Sequence, residues 1–144
     1  MPKITYDTSV FIAYQPTDFP VGFVLSAVVL QEMTAGAVDK SDLQRLEAIR
    51  RYFEKEDRLL VPDAEDWWQA GRILNALLRG LKSQSGGLTP KLPPQEKHRI
   101  VRDVLIARTA RKAGATLVTD NLADFEKISR YCKVRLISGT KFFS

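Results

Sequence analysis

The chain has one cysteine and one histidine in 144 residues. With Cys132 alone, no intrachain disulfide can form. His98, at the start of a helical stretch, has no second histidine or cysteine neighbour in sequence and is assigned no metal or catalytic role. No run approaches ~20 apolar residues, so no segment reads as a membrane-spanning helix. The start, Met1-Pro2-Lys3-Ile4, lacks the long apolar stretch of a signal peptide. These absences point to a soluble cytoplasmic protein with no membrane partner.

What is present is an apolar fraction of 44% and a basic balance, with 22 Lys and Arg against 17 Asp and Glu. The formal charge is +5 and the sequence pI about 9.5. This length is the usual size of one domain with one core, so residues 1–144 read as a single domain. Several acids are expected to be buried. The remaining surface is then more basic than +5 suggests and attracts polyanions.

Short apolar runs alternate with longer helical stretches. Strands are expected at 3–7, 24–25, 58–62, 115–119 and 134–138. Helices are expected through Val10–Ala13, from an N-cap at Ser26 to Ala35, over Asp39–Glu56, from a cap at Asp63 through Leu78, over Glu96–Ala113 with Gly114 closing it, and from Asn121 onward. Residues 83–94, rich in Ser, Gly and Pro, read as a mobile loop between two helices. Strands separated by helices predict an α/β fold with a parallel sheet covered on both faces. Ligands of such sheets bind beyond the carboxyl ends of the strands, at a switch in strand order. Asp7 and Asp120 both fall at strand carboxyl ends.

Acidic residues far apart in sequence therefore share one expected destination: Asp7, Glu32, Asp103 and the pair Asp120/Asp124. Each also has a plainer reading. Asp7 fits a helix cap. Glu32 has Val28, Val29, Ala35 and Gly36 as helix neighbours and points into packed structure, or else sits at the edge of that stripe. Asp103 lies among Ile100, Ile106, Ala107 and Ala110, with Arg99, Arg102 and Thr109 assigned to other faces. A carboxylate there needs a cation, a hydrogen-bonding partner or a raised pKa; a buried pair with an arginine is the alternative. Asp120 fits an Asx-turn, and Asn121 with Asp124 fits a capping pattern. Carboxylates gathered without His or Cys suit a hard cation such as Mg²⁺ or Mn²⁺.

Four stretches in order carry a family resemblance: Tyr6-Asp7-Thr8-Ser9-Val10-Phe11-Ile12, Leu25 to Met33, Arg102 to Ala110, and Leu117 to Glu126. In these the chain resembles PIN domains, and among them the VapC-type toxins of bacterial and archaeal toxin–antitoxin pairs. The resemblance implies a three-layer α/β/α sandwich around a parallel sheet and a Mg²⁺- or Mn²⁺-dependent endoribonuclease. It also implies RNA as substrate, a cognate antitoxin as partner, and a homodimer. Asp7, Glu32 and Asp103 carry over as its first three acids. Its last polar group falls at Asn121 or Asp124, and Asp120 sits where many relatives are not acidic, so Asp124 is preferred. Asp7 and Asp103 would hold the first metal, and Glu32 and Asp124 a second metal or a water. Thr8, Ser9 and Thr119 offer hydroxyls that hold the carboxylates, with Asn121 in support.

A basic set, Arg79, Lys82, Lys91, Lys97 and Arg99, flanks the irregular loop. It reads as a track for an RNA backbone or as a solvated surface. Of adjacent Trp67 and Trp68, one is expected in the core and the other at an interface. Phe11, Tyr14, Tyr52 and Phe53 fit core packing, or a groove filled by an antitoxin. A receiver-like signalling domain is disfavoured, because Asp7 is followed by Thr8-Ser9 and no Lys ends a suitable strand. A nuclease acting on DNA, an enzyme acting on other phosphoesters, and an inactive nucleic-acid-binding module remain open alternatives.

Overall fold

The computed structural model describes residues 2–14, 16–87 and 92–144. Its strands are β1 (Lys3–Tyr6), β2 (Leu25–Ser26), β3 (Leu59–Leu60), β4 (Ala115–Thr119) and β5 (Leu136–Ser138). Its helices are α1 (Thr8–Ala13), α2 (Ala27–Ala35), α3 (Lys40–Lys55), α4 (Ala64–Gln84), α5 (Pro94–Lys112), α6 (Leu122–Ser129) and α7 (Gly139–Phe142). Every strand pair is parallel: β1 with β4, β4 with β5, and β2 with β3. The two ladders adjoin, since Val24 N donates to Ile4 O at 2.9 Å and Thr5 Oγ1 donates to Val24 O at 2.7 Å. Side by side the strands run β3-β2-β1-β4-β5.

Strand alternation then builds the two faces. Tyr6 is in register with Val118, and Val118 with Ile137. These three pack with Val10, Phe11, Phe19, Phe23, Phe142 and Phe143 on one side. Leu117 and Leu136, one position earlier, face the opposite way onto Val29, Ile73, Leu105, Ile106 and Phe125. Helices therefore cover both faces, giving the expected three-layer α/β/α arrangement. Tyr6 is fully buried among the phenylalanine rings, and burial pushes its hydroxyl up to about 12.

Local signals place the helix starts. Ser26 Oγ accepts from Val28 N and Val29 N, and Asp63 and Asp66 form a reciprocal capping box. Gly114, at φ 68°, takes the left-handed turn that stops α5.

Several expectations need correction. Helix α4 runs through Gln84, so Ser83 and Gln84 are helical and Lys82, like Arg79 before it, sits on a helix rather than in the loop. The helix ends only where Gly86 and Gly87 adopt φ of 71° and 91°. Lys97 lies in the first turn of α5, and Lys91 lies outside the described residues. Trp67 and Trp68 are both exposed, at 57% and 64%, so neither is core. The buried stripe of α4 is Asp66, Ala70 and Ile73, at spacings of four and three, and the tryptophans fall beside it. On α3, Leu46 and Phe53 are buried while Leu43 and Tyr52 are exposed. Helix α7 had no sequence signal beyond a short aromatic end.

Candidate functional site

The strand order reverses direction between β1 and β4, because the chain leaves β1 for β2 on one side and meets β4 on the other. Asp7 follows β1 there, and its N–H donates to Val118 O at 3.2 Å. Asp7 is 3% exposed and occupies the N-cap position of α1; its side chain makes no cap hydrogen bond of full geometry, though the Val10 N–H favours its ionised form. Its Oδ1 accepts from Ser9 Oγ at 2.6 Å and its Oδ2 from Thr119 Oγ1 at 2.7 Å. Burial raises its pKa; the two hydroxyls pull it back, and Asp120 pushes it up. Ser9 Oγ also accepts from Asp120 N at 3.3 Å, and Thr119 Oγ1 accepts from Asn121 N at 2.9 Å. The hydroxyls thus tie the ends of β1 and β4 together around one carboxylate.

Glu32 on α2 is half-buried and faces Arg102 Nε at 3.8 Å. Its pKa is raised by burial first, with Arg102 opposing and Asp7 adding to the rise. Thr8 Oγ1 is buried without a hydrogen bond of full geometry, and lies close enough to Glu32 to favour its ionised form. Asp103 on α5 is held up to about 7, by burial first and then by Asp7, Glu32 and Asp124, against a downward pull from Arg99. Four acids from four elements therefore feel one another at one end of the sheet.

Asp103 has no ion-pair partner within 4 Å among the described residues, so the buried-pair alternative for it does not hold. Arg99 is not on another face. Four residues before Asp103, it shares that helix face, and its Nη1 donates to Asp124 Oδ2 at 2.5 Å while Nη2 donates to Glu96 Oε2 at 2.6 Å. Arg102 likewise reaches Glu32. Thr109 is buried, its hydroxyl bonded to Leu105 O and Ile106 O.

The last cluster separates. Asp124, in the first turn of α6, turns back to Arg99. Asn121 occupies the N-cap position, but its side chain caps nothing. Asp120 is exposed, with Oδ1 accepting from Tyr14 Oη at 3.4 Å. It is pressed from behind by Gly139, where any Cβ would come within 2.4 Å of Oδ1. That contact gives α7 a role that sequence reasoning missed.

Of the basic set, Arg79, Lys82 and Lys97 are exposed and Arg99 is engaged as described. A cleft of about 390 Å³ opens beside the acids, with Asp103, Asp124 and Arg99 along one edge. Among the described residues, no three His, Cys, Asp or Glu side chains form a ready-made metal cage. The donor types nonetheless suit a hard divalent cation. All are carboxylates and hydroxyls, Thr8 Oγ1 lies buried beside Glu32 without a hydrogen bond of full geometry, and Asp103 is destabilised as an anion by burial first and then by its acidic neighbours. Arg99 and Arg102 pair with Asp124 and Glu32.

The family profile described as PIN domain matches residues 4–131. Among solved structures, a chain of the DNA bound VapBC from Salmonella typhimurium is 24% identical, with a TM-score of 0.55 over 96% of this chain and 98% of that one. A chain of VapBC-1 from nontypeable Haemophilus influenzae is 18% identical, with a TM-score of 0.54 over 96% and 98%. A chain of FitAB bound to an IR36 DNA fragment is 20% identical, with a TM-score of 0.54 over 94% of each. At these identities the likeness is one of fold. No curated protein matches the chain.

Proposed function

The chain belongs to the PIN domain family, and from that premise we propose that it is a Mg²⁺- or Mn²⁺-dependent endoribonuclease, the toxin of a toxin–antitoxin pair. In this reading residues 1–144 are one nuclease domain, acting in the cytoplasm, and the partners are RNA, a cognate antitoxin and a second copy of the chain. The observation that carries it is the gathering of Asp7, Glu32 and Asp124 around Asp103 at the strand-order switch, where burial first and then these acids lift the Asp103 carboxyl to about 7. The neighbours in VapBC assemblies support the toxin reading by fold.

A bound divalent cation would neutralise the phosphate and lower the pKa of an attacking water. Asp7 and Asp103 would be its first ligands, and Glu32 and Asp124 would orient water or hold a second ion. Ser9 and Thr119 fix both oxygens of Asp7, so this ligand needs little reorganisation. Asp103 carries a proton for much of the time at neutral pH when no cation is present. Arg99 and Arg102 keep Asp124 and Glu32 compensated meanwhile. The apolar packing of Ile106, Ala107 and Ala110 behind Asp103 excludes bulk water from that side.

The test is cleavage of RNA, DNA and a phosphomonoester by purified protein, with and without EDTA and with Mg²⁺ or Mn²⁺ restored. RNA cleavage that EDTA and Asp7→Ala both abolish supports the proposal. Cleavage of DNA alone, or of the phosphomonoester alone, moves the reading to the corresponding alternative. Binding without cleavage under every condition leaves a nucleic-acid-binding module. Co-purification with the small DNA-binding protein encoded alongside, where one exists, tests the antitoxin.

A further inference from the structure

The cleft beside the acids has a character the chemistry alone does not require. Its floor is apolar, formed by Leu77 and Leu81 of α4, Ile100 of α5 and Ile128 of α6. Its outer rim carries Lys127, Arg130 and Tyr131. Lys127 and Arg130 are exposed, and neither has an ion-pair partner among the described residues. Tyr131 is 49% exposed and stacks on no other ring among the described residues. Asp103, Asp124 and the paired Glu96 and Arg99 line it as well; on α6 Asp124 lies in the first turn, and Lys127, Arg130 and Tyr131 follow it along the chain, up to about two turns away. One cavity thus joins acids, an apolar floor and a cationic and aromatic rim.

We propose that this cleft holds one unpaired nucleotide next to the cleaved phosphate, with its base on Leu81, Ile128 and Tyr131 and its outer phosphate at Lys127 and Arg130. This rests on the nuclease reading and specifies the form of its substrate. The volume of about 390 Å³ suits one nucleoside and lies within the range of small-ligand sites. Apolar and aromatic surfaces hold bases by stacking, whereas cations hold phosphates without reading sequence. A paired base is stacked on its neighbours and cannot enter a cleft walled on three sides by helices, so the substrate is single-stranded at this position. A peptide would also take the apolar floor. It gives no reason for two unpaired cations following the acid along α6, and a polynucleotide does, because its phosphates repeat along the strand.

The experiment measures binding separately from cleavage. Anisotropy of a labelled eight-nucleotide single strand, as RNA and as DNA, is recorded in Ca²⁺ at low salt with the full chain. The double variant Lys127→Gln/Arg130→Gln should weaken binding about tenfold, and lower the slope of log affinity against log salt by about 1.4, twice the single-strand value per phosphate. A charge-matched control on α3, Lys40→Gln/Lys55→Gln, should change affinity less than twofold. Tyr131→Ala should weaken binding at least fivefold on a normal strand and leave an abasic strand unaffected. Tighter binding of RNA than DNA supports the proposal and shows a sugar preference; equal binding of both supports it and shows none. It is overturned if the rim variants behave like the α3 control, if duplex binds as tightly as single strand, or if no oligonucleotide binds. It is also overturned if the rim variants lose a protein partner while oligonucleotide affinity is unmoved. Binding that depends on the rim without any cleavage would refute the nuclease and leave the cleft; cleavage with unchanged rim-variant affinity and KM would do the reverse.

Discussion

Helix α5 engages two acids withdrawn from solvent, Asp66 fully and its own Asp103 partly, and the two cases are opposite in kind. Toward its C-terminus, Arg108 Nε donates to Asp66 Oδ1 at 2.9 Å, and Lys112 Nζ donates to Asp66 Oδ2 at 2.5 Å. Asp66 Oδ2 also accepts from Asp63 N at 2.9 Å, so a side chain that is 0% exposed has both oxygens matched. Toward its N-terminus, Asp103 is surrounded by Asp7, Glu32 and Asp124, while Arg99 and Arg102 make their ion pairs with other acids. The first group is closed; the second is short of positive charge. Burial of a carboxylate is common to both, so burial alone does not mark a functional site. The balance of partners does.

The widest break in this comparison is Asp66→Ala. It leaves Arg108, a mostly buried cation, without its carboxylate and removes half of a capping box. Removing one partner of a buried pair costs about 3–5 kcal/mol. Urea unfolding should show that loss, while RNA cleavage per folded molecule stays at the parent level. A loss below about 1 kcal/mol would mean that the C-terminal group is not structural.

Asp103→Asn should act with the opposite sign. A carboxyl held near 7 when folded and near 3.8 when unfolded binds its proton more tightly in the fold. Its contribution therefore favours the fold at low pH and is lost as pH rises from about 4 to about 7. At about 1.4 kcal/mol per tenfold, the ceiling is about 4 kcal/mol. In EDTA, Asp103→Asn should therefore be more stable than the parent at pH 8, on the order of 2 kcal/mol, and close to it at pH 4. Adding Mg²⁺ or Mn²⁺ should stabilise the parent at pH 8 and not the variant. Equal stability of the two proteins at pH 8 would remove the claim that the N-terminal group lacks charge.

A smaller effect separates a positioned ligand from a merely crowded one. Thr119→Val removes the hydroxyl on Asp7 Oδ2 and the acceptor for Asn121 N. A hydrogen bond to a charged group contributes about 1.5–3 kcal/mol. With that support gone, the pKa of Asp7 rises further, and the acidic limb of the cleavage profile should move to higher pH. Thermal unfolding and a pH–rate profile read the two consequences separately. A stability loss with an unmoved profile would assign Thr119 to the fold alone.

These contrasts also explain what could be read from the chain. The strands and most helices were legible because their signals are local: an N-cap at Ser26, a capping residue at Asp63, a left-handed glycine at 114. The acids were legible as outliers on apolar faces. Asp66 was missed because its sequence position, three residues after Asp63, reads as an ordinary cap partner; its pairing with Arg108 and Lys112 spans more than 40 residues. Arg99 was placed on the wrong face, although a spacing of four from Asp103 aligns the two on a helix. The exposure of both tryptophans was hidden for a related reason: Asp66, a charged residue, occupies the core stripe where an aromatic was expected.

The smallest expected effect concerns that arginine. Arg99→Gln breaks ion pairs to Glu96 and Asp124 that are about 40% exposed, and such pairs are worth between 0 and about 1 kcal/mol. Stability should hardly change. Cation affinity is the sharper readout, because two effects compete. Arg99 pulls the Asp103 pKa down, so its loss raises that pKa and makes protons stronger competitors for the site. Its loss also frees Asp124 and removes a positive charge that repels the incoming ion. Well above pH 7 proton competition fades and the second effect wins, so Arg99→Gln should bind Mn²⁺ several-fold more tightly than the parent at pH 8.5. The advantage should shrink or reverse at pH 6. Titration of Mn²⁺ by thermal shift at the two pH values decides it. Weaker binding at both would show that Arg99 organises the acids rather than standing in for the cation, and the N-terminal group would then resemble the closed group around Asp66.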